Sequence, residues 1–273
     1  MRRVCENGLW GAVDRDGNRV VPCQYGKIEK FHYGYAWMRE KDRWGLVDKD
    51  GTLLLPCVYE ERRKAASNKY YWVRKNGKWG MVDREWQMAK EIIPCSYDEI
   101  GIFRHYRATV KQNGKWGAVN TDGKLVVPCI YDEVHDWHGR GYRVRKADKW
   151  GIVGNDFLLP CEYDFIGDLC HNRFRVKKDG KWGYGNEKGD ILVRTEYEYA
   201  TDFQLPWKYG NHVLAKVKRN GCWGIMDESG HEVVPSRYEK VGFVDDNDYL
   251  PGGFSAWKNG RCYEGWGKDF LTK

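Results

Sequence analysis

Short stretches in which apolar and polar residues alternate recur along the whole chain, and a turn signal cuts each one after five or six residues. Residues 106–134 show the unit. Arg107-Ala108-Thr109-Val110-Lys111 alternates small or apolar side chains with polar ones and predicts a strand. Asn113-Gly114 predicts a two-residue hairpin turn, because both central positions of a type I′ turn need positive φ. Lys115-Trp116-Gly117-Ala118-Val119 is the return strand, and Asn120 to Gly123 is a second turn. Leu125-Val126-Val127-Pro128 predicts a third strand, which Pro should end or place at an edge. Tyr131-Asp132-Glu133-Val134 predicts a short fourth. The hairpin signal returns as Asn7-Gly8, Asn76-Gly77, Asp179-Gly180, Asn220-Gly221 and Asn259-Gly260. An amphipathic helix needs ten or more residues without such breakers, and no convincing helix is read in the chain.

The unit has a period. Trp-Gly occurs at Trp10, Trp44, Trp79, Trp116, Trp150, Trp182 and Trp223. Pro-Cys-x-Tyr keeps the same phase at 22–25, 56–59, 94–97, 128–131 and 160–163, and drifted copies at 194–197 and 235–238 keep the Tyr. One repeat domain over residues 1–273 is expected, closed by a degenerate capping hairpin at 252–273 in which Cys262 and Tyr263 replace Trp and Gly.

Composition sharpens this reading. Fourteen Trp and eighteen Tyr stand in a chain whose mean hydropathy is only −0.76, so aromatic rings must supply much of the buried area. No apolar run approaches the roughly 18 residues of a membrane helix, and Met1-Arg2-Arg3-Val4 opens no signal peptide; a cytoplasmic protein is expected. Nine cysteines without a CxxC pair point to reduced, packed thiols rather than to zinc or disulfides.

The motif Gly-Lys-Trp-Gly-x-Val-Asp, followed by a turn Gly and Val-Pro-Cys-x-Tyr-Asp-x-Ile, is best preserved at 77–100, 114–134 and 180–197. It resembles the WG-repeat (KWG-repeat) family, found mainly in bacterial proteins, and the resemblance covers roughly residues 3–263. It implies an all-β tandem repeat and, loosely, an interaction role. An open or curved β-solenoid of short antiparallel hairpins and meanders is expected; a small-bladed β-propeller is the alternative.

Candidate chemistry is sparse. P-loop, GxSxG, HExxH and dinucleotide motifs are missing, and no enzyme, cofactor or metal is expected. The seven WG tryptophans read as core; Trp37, Trp72, Trp86, Trp137, Trp207 and Trp257 lie off that position and are better placed for ligand contact. His32, His105, His138, His171 and His212 fall 11 or 12 residues before a WG Trp and could line one rim of loops. The longest WG spacing, Trp182 to Trp223, contains Phe203-Gln204-Leu205-Pro206-Trp207-Lys208-Tyr209-Gly210, whose Leu205, Trp207 and Tyr209 read as a partner contact. Basic residues flank the hairpin turn (Arg74, Lys78, Arg145, Lys149) and acidic ones follow the repeat Tyr (Asp98, Asp132, Asp164), so stacking could build charged stripes. The expected function is a non-catalytic scaffold for a protein partner. Carbohydrate or cell-surface binding, nucleic-acid binding through the basic stripe, and self-association through open strand edges remain as rivals.

Overall fold

A computed structural model describes residues 1–65, 69–85, 88–205, 213–244 and 253–265. Among them every regular element is a strand, arranged in eight small antiparallel sheets. The fourth sheet is typical: Glu99–Ile100, Arg107–Gln112, Lys115–Asn120 and Leu125–Tyr131, paired in chain order. The first sheet lacks the short leading strand, and the last holds three strands, Lys240–Phe243, Phe254–Lys258 and Arg261–Gly265. The chain divides into two compact units, residues 1–131 and 132–273.

The hairpin turn is type I′ in every sheet. Asn113 and Gly114 have φ of 52° and 78°, and Lys41-Asp42 and Ala147-Asp148 adopt the same pair of left-handed conformations without a glycine. Sequence alone does not mark those two turns; the register of their flanking strands imposes them. The second turn is built by an Asx side chain. Asn120 Oδ1 accepts the N–H groups of Asp122 at 3.1 Å and Lys124 at 2.9 Å, and Asp14, Asp48, Asn186 and Asp227 do the same in their sheets.

The two repeat motifs are one device seen from two strands. Trp116 lies directly opposite Tyr131, and the same pairing joins Trp10 to Tyr25, Trp44 to Tyr59, Trp79 to Tyr97, Trp150 to Tyr163, Trp182 to Tyr197 and Trp223 to Tyr238. Ala118 faces Val127, so two residues from Trp116 oppose four from Tyr131. The Pro-Cys-x segment is that excess: a bulge, where a missing N–H costs no ladder bond. Pro128 therefore does not end the strand, which runs on to Tyr131. The bulge also explains the glycine of Trp-Gly. A Cβ on Gly117 would stand 2.5 Å from the Val127 carbonyl oxygen and 2.7 Å from Cys129 Sγ. Gly11, Gly45, Gly80, Gly151, Gly183 and Gly224 meet the same obstruction.

The expected fourth strand belongs to the next sheet. Beyond Tyr131, Glu133–Asp136 pairs with Gly141–Lys146 as the leading strand of the fifth sheet. Every repeat Tyr thus ends one sheet while its neighbours begin the next. Within each unit a core sits between consecutive sheets. In the first unit Trp72, Met81, Ile93, Tyr97, Val110 and Val119 make one such core; in the second, Trp137, Ile152, Tyr163, Ile166, Phe174 and Val176 make another.

Candidate functional site

The side chains that carry charge are mostly spent inside the repeat. In six of the sheets the cation paired opposite the WG Trp covers its ring: Arg39 over Trp44, Arg74 over Trp79, Lys111 over Trp116, Arg145 over Trp150, Lys177 over Trp182 and Lys218 over Trp223, at 5.3–5.9 Å from the centroid; Trp10 has Cys5 opposite it. The WG rings are half-buried rather than central to the core, Trp79 being the one that is buried. Trp37, Trp72 and Trp137, expected as ligand contacts, are instead core residues at 4%, 3% and 1% exposure, because their strand and turn positions face the neighbouring sheet. Trp86 and Trp207 lie outside the described residues, and Trp257 is half-buried under Lys240.

An acidic residue directly after the repeat Tyr bridges two sheets at Glu60, Asp98 and Asp164. Asp98 binds the Lys78 ammonium of its own repeat and accepts the Asn113 N–H of the next hairpin turn at 2.8 Å. Lys78 first, then that N–H, hold its carboxyl below the usual carboxylate range. Asp164 repeats the arrangement with Lys149 and the Gly180 N–H, and Glu60 with Arg43 and the Gly77 N–H. Arg74 and Arg145 are likewise paired with Glu61 at 2.6 Å and Glu133 at 2.5 Å. The two stripes are therefore one cross-strand and cross-repeat lattice. The repeat cysteines are packed thiols: burial pushes Cys57, Cys129 and Cys161 up and Cys95 to about 11, and all nine cysteines are free.

The histidine spacing has a backbone cause. The leading strand and the second strand of a sheet join through a tight turn that needs two left-handed residues. His105-Tyr106 has φ of 46° and 61°, His138-Gly139 of 53° and 70°, and His171-Asn172 of 50° and 60°. His is among the residues enriched in that region. His32 sits one place earlier, before Tyr33-Gly34 at 52° and 85°. His212, Trp207 and Tyr209 lie outside the described residues. No group of three His, Cys, Asp or Glu able to hold a metal occurs among the described residues. In the second unit the turn histidines reach the following repeat: His138 Nε2 accepts the Leu169 N–H at 3.3 Å, and His171 Nδ1 meets the Phe203 carbonyl at 3.3 Å.

What these turns present to solvent in the first unit is apolar. Tyr33 is 82% exposed, Tyr106 76% and Ile102 76%. Both tyrosines are bulky residues held at positive φ, a conformation that costs free energy and is retained where the position has a use. Leu205, at the base of the inserted loop in the seventh sheet, is 48% exposed beside the Gln204–Leu214 pair. Tyr33, Tyr106 and Ile102 were not singled out by sequence; the positive-φ dipeptide after the leading strand was the available signal. Two clefts open beside these turns, one of about 320 Å³ lined by His32, Tyr33, Trp37 and Arg84, the other of about 330 Å³ lined by Arg63, Trp72, Ile102 and Phe103.

A model of the WG-containing repeat matches this chain seven times, at residues 10–44, 44–79, 87–116, 116–150, 155–182, 182–221 and 223–251. The chain belongs to the WG-repeat family. Five of the seven matches begin at the Trp whose cross-strand Tyr and bulge define the sheet, at 10, 44, 116, 182 and 223. Among curated proteins none matches the chain. Among solved structures, a eukaryotic initiation factor is 10% identical over 96% of this chain and 85% of its own, with a TM-score of 0.33. Kluyveromyces lactis Hsv2 is 10% identical over 96% and 93%, with a TM-score of 0.27. The β-propeller domain of the Trilobed protease from Pyrococcus furiosus is 10% identical over 86% and 93%, also at 0.27. Among the described residues no helix is long and apolar enough to cross a membrane.

Proposed function

We propose that this WG-repeat protein is a non-catalytic interaction module that binds a protein partner through the turn tips of its first unit. The observation that carries the reading is the pair Tyr33 and Tyr106, held at φ of 52° and 61° and 82% and 76% exposed, with Ile102 beside the second turn. Exposed aromatic anchors on a rigid frame are what a protein interface uses for most of its binding energy. The charged side chains favour this reading over nucleic acid, because so many of them are already paired within the lattice. The WG rings favour it over carbohydrate, because Arg and Lys side chains lie over their faces. A cytoplasmic, reducing setting is part of the proposal and fits nine free thiols.

The test is a photo-crosslinking amino acid placed at position 33 or 106 in the native host, read by mass spectrometry with and without nuclease. One protein should be trapped from both positions and survive nuclease. The double variant Tyr33→Ser, Tyr106→Ser should weaken its capture at least tenfold, with a melting temperature within about 2 °C of the parent, as expected for surface changes. Crosslinks to nucleic acid alone, or capture unaffected by the double variant, would overturn the reading.

A further inference from the structure

Seven related repeats in one chain serve as one another's controls, and the third departs from its siblings in a core residue and in the length of its second hairpin. The second residue of each leading strand faces the core. It is Ile28, Val134, Ile166, Ala200 and Val241 in five of the sheets, all buried, but Arg62 in the third. The third sheet, like the fifth, lacks the Asx-Gly second turn, and among the described residues the third has the longest strands on either side of it. Its hairpin runs on as Lys78–Glu85 and Met88–Tyr97, and the extra length carries Arg84.

Both arginines line the same cleft of about 320 Å³, between the second and third sheets of the first unit. Arg62 is wedged between Trp37 and Trp44, 4.8 and 4.5 Å from their centroids, and its guanidinium meets Glu29 at 2.5 Å. Arg84 lies between Tyr35 and Tyr71, at 5.0 and 5.5 Å, and no carboxylate pairs with it among the described residues. Lys30 and His32 line the mouth, and the other nearby carboxylate, Asp83, is 3.5 Å from Lys69. The Trp37 indole N–H, in a residue 4% exposed, has no hydrogen-bond partner among the described residues, whereas the equally buried Trp137 donates to Gly167 O. A core position given to a cation, and a second cation held by two rings with no carboxylate paired to it among the described residues, are departures that cost stability unless a ligand uses them.

We propose that this cleft is a binding site for a small oxyanion-bearing ligand, a phosphate monoester or a carboxylate, with Arg84 as its charge partner and Arg62 as the fixed cation behind it. Arginine suits that role because its planar fork meets an oxyanion with two hydrogen bonds, and the flanking rings hold the fork in place before the ligand arrives. The cleft volume is at the small end of ligand sites. A cationic ligand is disfavoured, since Arg62 and Arg84 occupy the ring faces a cation would need, and a sugar would find those faces equally covered. This site is independent of the partner-binding turns, although His32 and Tyr33 border both.

The experiment is calorimetric titration of the full chain with phenyl phosphate, with benzoate for the carboxylate source and phenyltrimethylammonium for the opposite charge. One saturable site is expected for phenyl phosphate or benzoate, whichever source the cleft serves, and none for the ammonium. Arg84→Gln should weaken binding at least tenfold, and Lys124→Gln, which removes an exposed cation elsewhere in the same unit, should leave it within twofold. Arg62→Ile restores the residue type of the sibling repeats, so it should fold at least as well as the parent and still lose binding. Absence of saturable binding for both anions, or binding by Arg62→Ile and Arg84→Gln as tight as that of the parent, would overturn the proposal.

Discussion

At the scale of single residues, the glycine of the WG pair is set by a distance. Gly117 is not in the left-handed region; its Cβ is excluded because the bulged strand crosses 2.5 Å away at the Val127 carbonyl. Gly117→Ala should therefore destabilise the protein by about 1–3 kcal/mol, the usual cost of overpacking. In a chain of this size that lowers the melting temperature by several degrees. Gly26→Ala is the matched control, since its Cβ would meet only the Arg39 carbonyl, at an ordinary 3.7 Å. Differential scanning calorimetry checks the pair, and equal melting temperatures would remove the close-approach explanation. The histidines teach a related lesson. Their spacing was visible in sequence, but its meaning was a backbone torsion, and Tyr33 and Tyr106 in the same turns carry the exposed surface.

At the scale of elements, each bridging carboxylate ties a finished sheet to the hairpin of the next. Asp98, Asp164 and Glu60 all have lowered pKa values, with Lys78, Lys149 and Arg43 as the leading causes. A lowered native pKa means the folded chain binds fewer protons than the unfolded one, so stability rises with pH across the titration. The contribution is fully present above the unfolded carboxylate range, about pH 4, and is lost as pH falls through the lower native values. The melting temperature should therefore drop steeply between pH 5 and pH 3, an interval bracketing about pH 4. Asp98→Asn should melt lower at pH 7 and show a shallower drop, since one of the linked carboxylates is gone. A profile of the variant parallel to that of the parent would show that overall charge repulsion, not the bridging pairs, governs the acid limb.

At the scale of the molecule, cores lie between neighbouring sheets, so a defect should stay local. Met81 is fully buried among Trp72, Ile93, Val110 and Val119. Met81→Ala should cost about 2–5 kcal/mol. By hydrogen exchange, protection should fall across the third and fourth sheets while residues 132–265 keep theirs. Loss of protection in both units together would show the chain to be one cooperative block rather than an array.

Residue pattern alone determined the all-β class, the repeat phase, the type I′ hairpins with Asn-Gly and the packed thiols, because each follows from local chemistry: alternation, positive φ, and a small apolar side chain at a fixed place. Tertiary structure decided the rest. Pro128 continues its strand because the bulge absorbs its missing N–H, and Tyr131 ends a sheet whose next residues pair elsewhere. Trp37, Trp72 and Trp137 proved to be core because a neighbouring sheet covers them, which no single repeat encodes. The cleft of Arg62 and Arg84 was hidden for the same reason: those residues are 22 positions apart on two strands of the third sheet, and the cleft they line exists only where that sheet packs against the aromatic residues of the second.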